Sequence, residues 1–152
     1  MTRLIGDTPF TDGERAALIA EARSHLGMPW RHQGRTERAA DCIGSVWLWM
    51  RTVRPVATPR TDYGRLPSLG KLREGLTEYL GPSVADEPRP GDVVTLRWTG
   101  EEQHLALVVD HPEYGIGLLH ADNNAPGAKG PRVVEHGVDA HWRKRITGTW
   151  RP

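Results

Sequence analysis

Cys42 is the one cysteine in this 152-residue sequence, and it stands where a helix is predicted to begin. Apolar residues follow at positions 43, 46, 47 and 50, and Asp41 is a suitable N-cap. Backbone N–H groups and the helix dipole at such a position favour a thiolate, and the same N–H groups can donate to an oxyanion. A lone cysteine excludes an internal disulfide and a multi-cysteine zinc site. Cys42 is therefore either a core residue, the commoner case, or a nucleophile.

Seven histidines are available as the base that a thiol nucleophile requires. His104 precedes the apolar run 105–109, so its ring can face a cleft while the strand behind it is buried. His120 ends the next predicted strand, beside His104 in an antiparallel pair, where it can orient the first imidazole. Each histidine taken singly is more often structural. Together with Cys42 they favour a thiol hydrolase.

Three helices are predicted in the first half of the chain to position these residues. Thr11 and Glu14 form a capping box, after which apolar positions 18, 19, 22 and 26 recur at helical spacing as far as Gly27. The second helix begins at Cys42. Residues 54–67 hold three prolines and are predicted to be irregular, and residues 69–80 form a third helix that Gly81 and Pro82 end.

Five strands are predicted in the second half, where short β-branched runs are separated by turn residues. They span residues 93–98, 105–110, 117–121, 133–136 and 146–150. Helices followed by a meandering antiparallel sheet indicate an α+β domain. The length of the chain fits a single domain over residues 1–152.

The composition argues against several classes of protein. Lys and Arg (20) nearly balance Asp and Glu (19), and no basic stripe is interleaved with aromatic residues, so a nucleic-acid partner is disfavoured. Residues 1–10 are mixed and polar, and no apolar run reaches membrane-spanning length. The sequence therefore predicts synthesis in the cytoplasm without a signal peptide, and no membrane insertion.

Four blocks of the chain, in order, resemble the NlpC/P60 peptidases, which are cell-wall cysteine hydrolases with a papain-like core. Residues 22–50 contain Gly-x-Pro-aromatic, a glycine-bearing loop and then Asp-Cys-x-Gly. Residues 90–94 resemble the family's turn into its first strand, 103–108 its histidine strand, and 118–121 the strand with its third catalytic residue. The resemblance implies a papain-like fold, with N-terminal helices packed on a C-terminal antiparallel sheet of about five strands.

The resemblance also implies an activity and a site. Cys42 maps to the nucleophile, His104 to the base and His120 to the orienting residue. The substrate implied is a peptide bond next to a D-amino acid in the peptidoglycan stem, with no metal or cofactor. The residues expected to bind substrate or form the oxyanion site are Trp30, His32, Asp41 and Ile43.

The loop at residues 30–35 most closely resembles a subgroup found in phage tails and gene transfer agents. There the enzyme acts on the periplasm or cell wall from the tail tip, so tail-tip or hub proteins are expected partners. The chain departs from the common family pattern at Trp30, where a tyrosine is usual, and in the order Ile43-Gly44-Ser45 in place of Ser-Gly. Both departures bear on catalytic strength.

Three alternatives remain open at the level of sequence. The first alternative is a zinc-dependent cell-wall peptidase, whose candidate ligands are His104, Asp110, Glu135, His136 and His141. Their spacing matches no known ligand motif, and this alternative leaves Cys42 without a role. A structural plug or adaptor at a tail tip would keep the fold without turnover, as Trp30 suggests. An acyltransferase or amidase would use the same cysteine chemistry on another amide.

Overall fold

The computed structural model describes residues 3–64 and 70–152. Within these ranges the helices are α1 (Asp12–Ser24), α2 (Cys42–Val53), α3 (Lys71–Leu80) and α4 (Ala140–Arg143). The strands are β1 (Arg35–Thr36), β2 (Ala39–Ala40), β3 (Val93–Leu96), β4 (His104–His111), β5 (Gly115–Asp122), β6 (Arg132–Gly137) and β7 (Ile146–Trp150). The predicted α+β class is confirmed.

The helix starts follow the local signals in the sequence. Thr11 and Glu14 form both hydrogen bonds of the capping box at α1, and the Asp41 side chain caps α2. The expectation that Leu26 continues the apolar face of α1 is wrong, because the helix ends at Ser24 and the Leu26 side chain is 50% exposed. The third helix ends at Gly81 as expected, and Leu69, its predicted first residue, lies outside the described residues.

The five long strands form one antiparallel sheet in the order β6-β5-β4-β3-β7. Strands β3 to β6 form the expected meander, but β7 returns to the far edge and pairs with β3. The predicted first strand is too long, since β3 ends at Leu96 and Trp98 is exposed. Two short elements were not predicted: the β1–β2 hairpin and α4.

The two faces of the sheet carry separate apolar clusters. Odd-numbered residues of β4, such as Leu105 and Leu107, pack with α1, α2 and α3 in the main core. Even-numbered residues, such as Ala106 and Val108, belong to a second cluster against which Trp142 of α4 packs. The strand alternation therefore places His104, His120 and His136 on the face of this second cluster.

A buried carboxylate ties the first helix and the C-terminus to the sheet. The side chain of Asp92 is fully buried and accepts from Arg15 at 2.6 Å and from Arg151 at 2.9 Å. Gly91 has a φ of +94°, and a Cβ there would lie 2.9 Å from the Arg15 side chain. The Pro-Gly-Asp turn before β3 thus has a structural role. Within residues 3–64 and 70–152, no helix has both the length and the apolar composition needed to cross a membrane.

Candidate active site

The start of α2 is held by a network of hydrogen bonds centred on the Asp41 carboxylate. Asp41 is buried, and its Oδ1 accepts from the Gly44 backbone N–H at 2.8 Å and from Arg35 at 3.1 Å. Its Oδ2 accepts from the Gln33 backbone N–H at 2.8 Å and from the Tyr63 hydroxyl at 2.6 Å. The network joins the helix to the preceding loop and to the segment after the helix.

Gly44 explains why the third position after Asp41 must be small. A Cβ at this residue would lie 1.9 Å from the Gly34 carbonyl oxygen and 2.8 Å from Nη1 of Arg35. The loop can therefore close over the first turn of α2 only if residue 44 has no side chain. Gln33, in the same loop, has a φ of +58°, a conformation that costs energy for a residue with a Cβ. Its side chain donates to the backbone carbonyls of Thr61 and Tyr63, which offsets that cost.

Cys42 is half-buried, and its sulfur faces backbone N–H groups at both the helix start and the sheet. The backbone groups that hydrogen-bond to the sulfur belong to Leu105, Ile43 and Cys42 itself. Strands β4 and β5 pair from Leu107 and Leu119 onward, and not at Leu105. The start of α2 approaches β4 at Leu105, where this pairing is absent. The thiol is thus adjacent to the first turn of its helix and to the strand residue that follows His104.

The backbone groups at the helix N-terminus act on the Cys42 thiol in the expected direction, but burial and a nearby charge outweigh them. Burial of the sulfur, followed by the negative charge of Asp41, raises the pKa of Cys42 to about 12. The three backbone hydrogen bonds lower it, but by less. Near neutral pH the group is therefore a protonated thiol.

Three histidines form a continuous chain across β4, β5 and β6. Nε2 of His104 lies 2.7 Å from Nδ1 of His120, and Nε2 of His120 lies 2.9 Å from Nε2 of His136. The chain ends where Nδ1 of His136 lies 3.0 Å from the carbonyl oxygen of Gly137. The first pair is the one expected from the sequence, and His136 extends it.

Burial keeps the first two imidazoles neutral. It lowers the pKa of His104 to about 4, although the charges of Asp122 and Asp41 act in the opposite direction. Burial also lowers the pKa of His120 well below its ordinary value, and the neighbouring His104 and His136 add to the effect. A neutral imidazole can accept a proton, so His104 is in the form that a general base needs at neutral pH.

Aromatic side chains surround the histidine chain and the loop before Cys42. The Trp142 ring lies 4.2 Å from the His136 ring and 6.0 Å from the His120 ring, and Trp98 lies 5.9 Å from His104. In the loop, the Trp30 and His32 rings are stacked at 6.5 Å. His32 also meets Tyr63 edge to face at 5.8 Å, which connects this aromatic group to the Asp41 network.

The structure thus places the candidate residues in two adjoining groups. Trp30, His32, Asp41 and Ile43 surround the start of α2, and His104 pairs with His120 on the sheet. Ile43 packs partly buried against the main core, so its backbone N–H rather than its side chain faces the sulfur. Sequence reasoning missed Tyr63, and it gave His136 no place beside His120. The spacing of sixteen residues from His104 to His120, repeated from His120 to His136, is the signal that identifies His136 in a regular meander.

The side chains of the zinc alternative do not converge. Asp110 and Glu135 both pair with Arg23, and His141 contacts Arg145. Among the described residues, no three His, Cys, Asp or Glu side chains are grouped so as to hold a metal ion.

Solved structures with a similar arrangement of helices and sheet include NlpC/P60 domains. The NlpC/P60 domain of the peptidoglycan hydrolase SagA superimposes with a TM-score of 0.53 at 18% identity, over 91% of this chain and 98% of that domain. The chain has the NlpC/P60 fold. An NLP/P60 protein of Staphylococcus aureus Mu50, described as similar to lipoprotein, has a TM-score of 0.57 at 17% identity. That match covers 95% of this chain and 43% of the other, so this chain matches less than half of the Staphylococcus aureus protein.

Sequence comparison gives a different relative. The chain is 31% identical, over an alignment 170 positions long, to the ESX-3 secretion system protein EccC3 of two Mycobacterium tuberculosis strains. The alignment covers 92% of this chain but only 12% of the length of the curated relatives. No family model matches the sequence.

Proposed function

We propose that the chain is a thiol hydrolase that cuts peptidoglycan stem peptides next to a D-amino acid. The observation that carries the proposal is the hydrogen-bonded His104–His120 pair on a strand whose next residue, Leu105, hydrogen-bonds through its backbone to the helix-start thiol. The fold is one also seen in a peptidoglycan hydrolase. Cys42 is the nucleophile, His104 the base and His120 the residue that orients it.

The proposed reaction starts from a neutral thiol and a neutral imidazole. Nδ1 of His104 takes the proton of the Cys42 thiol as the sulfur attacks the scissile carbonyl carbon. The C–N bond then breaks, and the imidazolium gives its proton to the leaving amine. Water, deprotonated by the same imidazole, hydrolyses the thioester and releases the carboxylate and the thiol.

The proposed oxyanion and substrate groups lie at the start of α2. The backbone N–H groups of Cys42 and Ile43 point to the sulfur and can donate to the oxyanion that forms next to it. Trp30 and His32 form the stacked wall against which a peptide can lie. Asp41 acts through its protein partners, since its two oxygens receive four donors.

The proposed site of action is the periplasm or cell wall, reached as part of a phage tail or gene transfer agent. Support comes from the amino-acid sequence of the loop at residues 30–35, which resembles that of the phage-tail and gene-transfer-agent subgroup. The curated relatives are proteins of a secretion system, so attachment to a secretion machine is the competing context. Co-purification with tail-tip proteins, set against co-purification with secretion components, decides between the two.

Digestion of defined muropeptides tests the activity. Wild type, Cys42→Ala and the exposed-site control His141→Ala are incubated with the same substrates, and the products are identified by mass spectrometry. We expect wild type and the control to release a stem-peptide fragment with a new amine and a new carboxylate, and Cys42→Ala to release none. Cleavage by Cys42→Ala would overturn the assignment of the nucleophile.

The same experiment addresses the alternatives. A folded wild-type protein that cleaves none of the muropeptides favours the structural plug, for which Trp30 is the motivating feature. Products in which a new amide replaces the new carboxylate indicate acyl transfer. Activity that is lost with a chelator but kept after thiol alkylation indicates a metal peptidase.

A further inference from the structure

The outer end of the histidine chain has a fixed direction, because a carbonyl oxygen only accepts. Nδ1 of His136 lies 3.0 Å from the Gly137 carbonyl oxygen, so Nδ1 carries the hydrogen and donates it. A neutral His136 then presents Nε2 as an acceptor. The nitrogen of His120 that faces it, Nε2 at 2.9 Å, must be the donor.

The same reasoning passes along the chain to His104. A neutral His120 that donates from Nε2 can only accept at Nδ1, so Nε2 of His104, 2.7 Å away, carries the hydrogen. A neutral His104 with its hydrogen on Nε2 has its lone pair on Nδ1. One backbone carbonyl in β6 thus decides which nitrogen of His104 is the base.

We propose that His136 is a positioning residue that fixes the tautomer of His104 through His120, leaving Nδ1 of His104 to take the thiol proton. The proposal rests on the proposed function, since it assigns His136 a part in the same reaction. It goes beyond the Cys42, His104 and His120 set, because it adds a third imidazole and the Gly137 carbonyl as the fixed end of the chain.

The surroundings of the three histidines favour neutral rings at His104 and His120. His104 and His120 are buried, at 8% and 1% exposure, and Trp142 from α4 covers His120 and His136. The charged groups that act on His104 are Asp122 at the end of β5 and Asp41 at the start of α2. The titratable groups that act on His120 are the two other histidines.

Two substitutions at residue 136 separate the hydrogen bond from the packing. Glutamine places a side-chain oxygen near the position of Nε2, so His136→Gln can still accept from His120. Leucine in His136→Leu has a similar volume but no acceptor. His120 is then free to carry its hydrogen on Nδ1 and donate to His104, which moves the His104 hydrogen to Nδ1 and removes the base. The matched control is His141→Leu, since His141 is exposed and takes no part in the hydrogen-bonded row of three histidines.

Nitrogen-15 NMR of the imidazoles tests the proposal without a substrate, because protonated and bare ring nitrogens of neutral histidine have different shifts. In wild type at neutral pH we expect the hydrogen on Nε2 in His104 and His120 and on Nδ1 in His136. His136→Gln and the control should keep the His104 pattern, and His136→Leu should change it. A wild-type His104 with its hydrogen on Nδ1, or an unchanged His104 pattern in folded His136→Leu, would overturn the proposal.

Turnover gives a second readout on any muropeptide that wild type cleaves. We expect His136→Leu to lower kcat by about tenfold or more, as loss of the correct tautomer does in other triads, and His136→Gln to restore most of it. If wild type cleaves no muropeptide, the proposed function fails, but the NMR pattern still decides the assignment of His136. Equal loss of kcat in both variants, with the His104 pattern intact, would make His136 merely structural.

Discussion

At Cys42 two opposing effects act on one sulfur, and the structure shows which is larger. Three backbone hydrogen bonds at the helix start and at Leu105 lower the pKa of the thiol. Burial and the carboxylate of Asp41 raise it further than those bonds lower it, to about 12. Because the pKa of His104 is lowered to about 4, the two groups are neutral together between these limits. In the proposed reaction the thiolate is therefore formed by proton transfer during attack and not before it.

The rate of thiol alkylation against pH tests this neutral resting state. We expect the reaction of Cys42 with iodoacetamide to be slow at pH 7 and to rise about tenfold per pH unit through pH 9 and above, since only the thiolate reacts. A small-molecule thiol with a pKa of about 8.5 is the control, and its rate should level off near that pH. A rate for Cys42 that is already constant below pH 7 would indicate a thiolate–imidazolium pair and contradict the prediction.

Individual residues differ in how far sequence alone could place them. Cys42 and Asp41 were found because a helix start is a local pattern, with its cap and apolar spacing within a few residues. The pair His104 and His120 was found because it lies in adjacent strands of one meander. Tyr63 was missed because it reaches Asp41 from an irregular segment, across a sequence distance of 22 residues, and no local pattern encodes that approach.

At the scale of elements, the site depends on one close approach between a loop and a helix. The first turn of α2 carries Cys42, and the loop carrying Gly34 and Arg35 lies directly on it at Gly44. The helix of this region was predictable, but neither the β1–β2 hairpin nor the closeness of the contact was. The short β1–β2 hairpin that shapes the loop has only two residues per strand, too few to show an alternating pattern.

The substitution Gly44→Ala tests this contact, with Gly75→Ala as its matched control. A methyl group at residue 44 meets the Gly34 carbonyl oxygen, so we expect a loss of about 1–3 kcal/mol in the free energy of unfolding. Residue 75 is in the exposed part of α3 with nothing within 4 Å of a Cβ, so alanine should stabilise by about 0.5–1 kcal/mol. Urea unfolding measures both. Equal effects at the two glycines would show that the loop does not press on α2.

At the scale of the whole molecule, Asp92 connects three distant parts of the chain. It receives Arg15 of α1 and Arg151 near the C-terminus at the point where β3 begins. Removing the charge leaves the buried Arg15 without a carboxylate and leaves Arg151 with only the exposed Asp86. We therefore expect Asp92→Asn to lower the free energy of unfolding by about 3–5 kcal/mol.

The control for Asp92 is Asp62, whose ion pair with Arg60 is exposed on both sides. Because solvent screens such a pair, Asp62→Asn should change the free energy of unfolding by less than about 1 kcal/mol. Chemical denaturation of both variants at pH 7 provides the comparison. A small effect of Asp92→Asn would mean that α1 and the C-terminus are held to the sheet mainly by other contacts, such as apolar packing and the hydrogen bonds of Arg15 to Pro90 and of Arg151 to Asp86.

The buried histidines make the whole fold sensitive to mild acid. In the unfolded chain His104 takes up a proton as the pH falls through its ordinary value of 6.5, whereas the folded protein resists protonation down to a pKa of about 4. The unfolded state therefore binds more protons in this window, so stability is complete above pH 6.5 and is lost as the pH falls towards 4. His104 alone accounts for about 3 kcal/mol, and the lowered pKa of His120 acts in the same direction.

Urea unfolding at steps between pH 7 and pH 4 measures this loss. His104→Gln should flatten the curve in that window, whereas His141→Gln should leave it as in wild type. A loss confined to pH below 4 would assign the acid sensitivity to carboxylates such as Glu14, whose pKa Arg54 lowers to about 2.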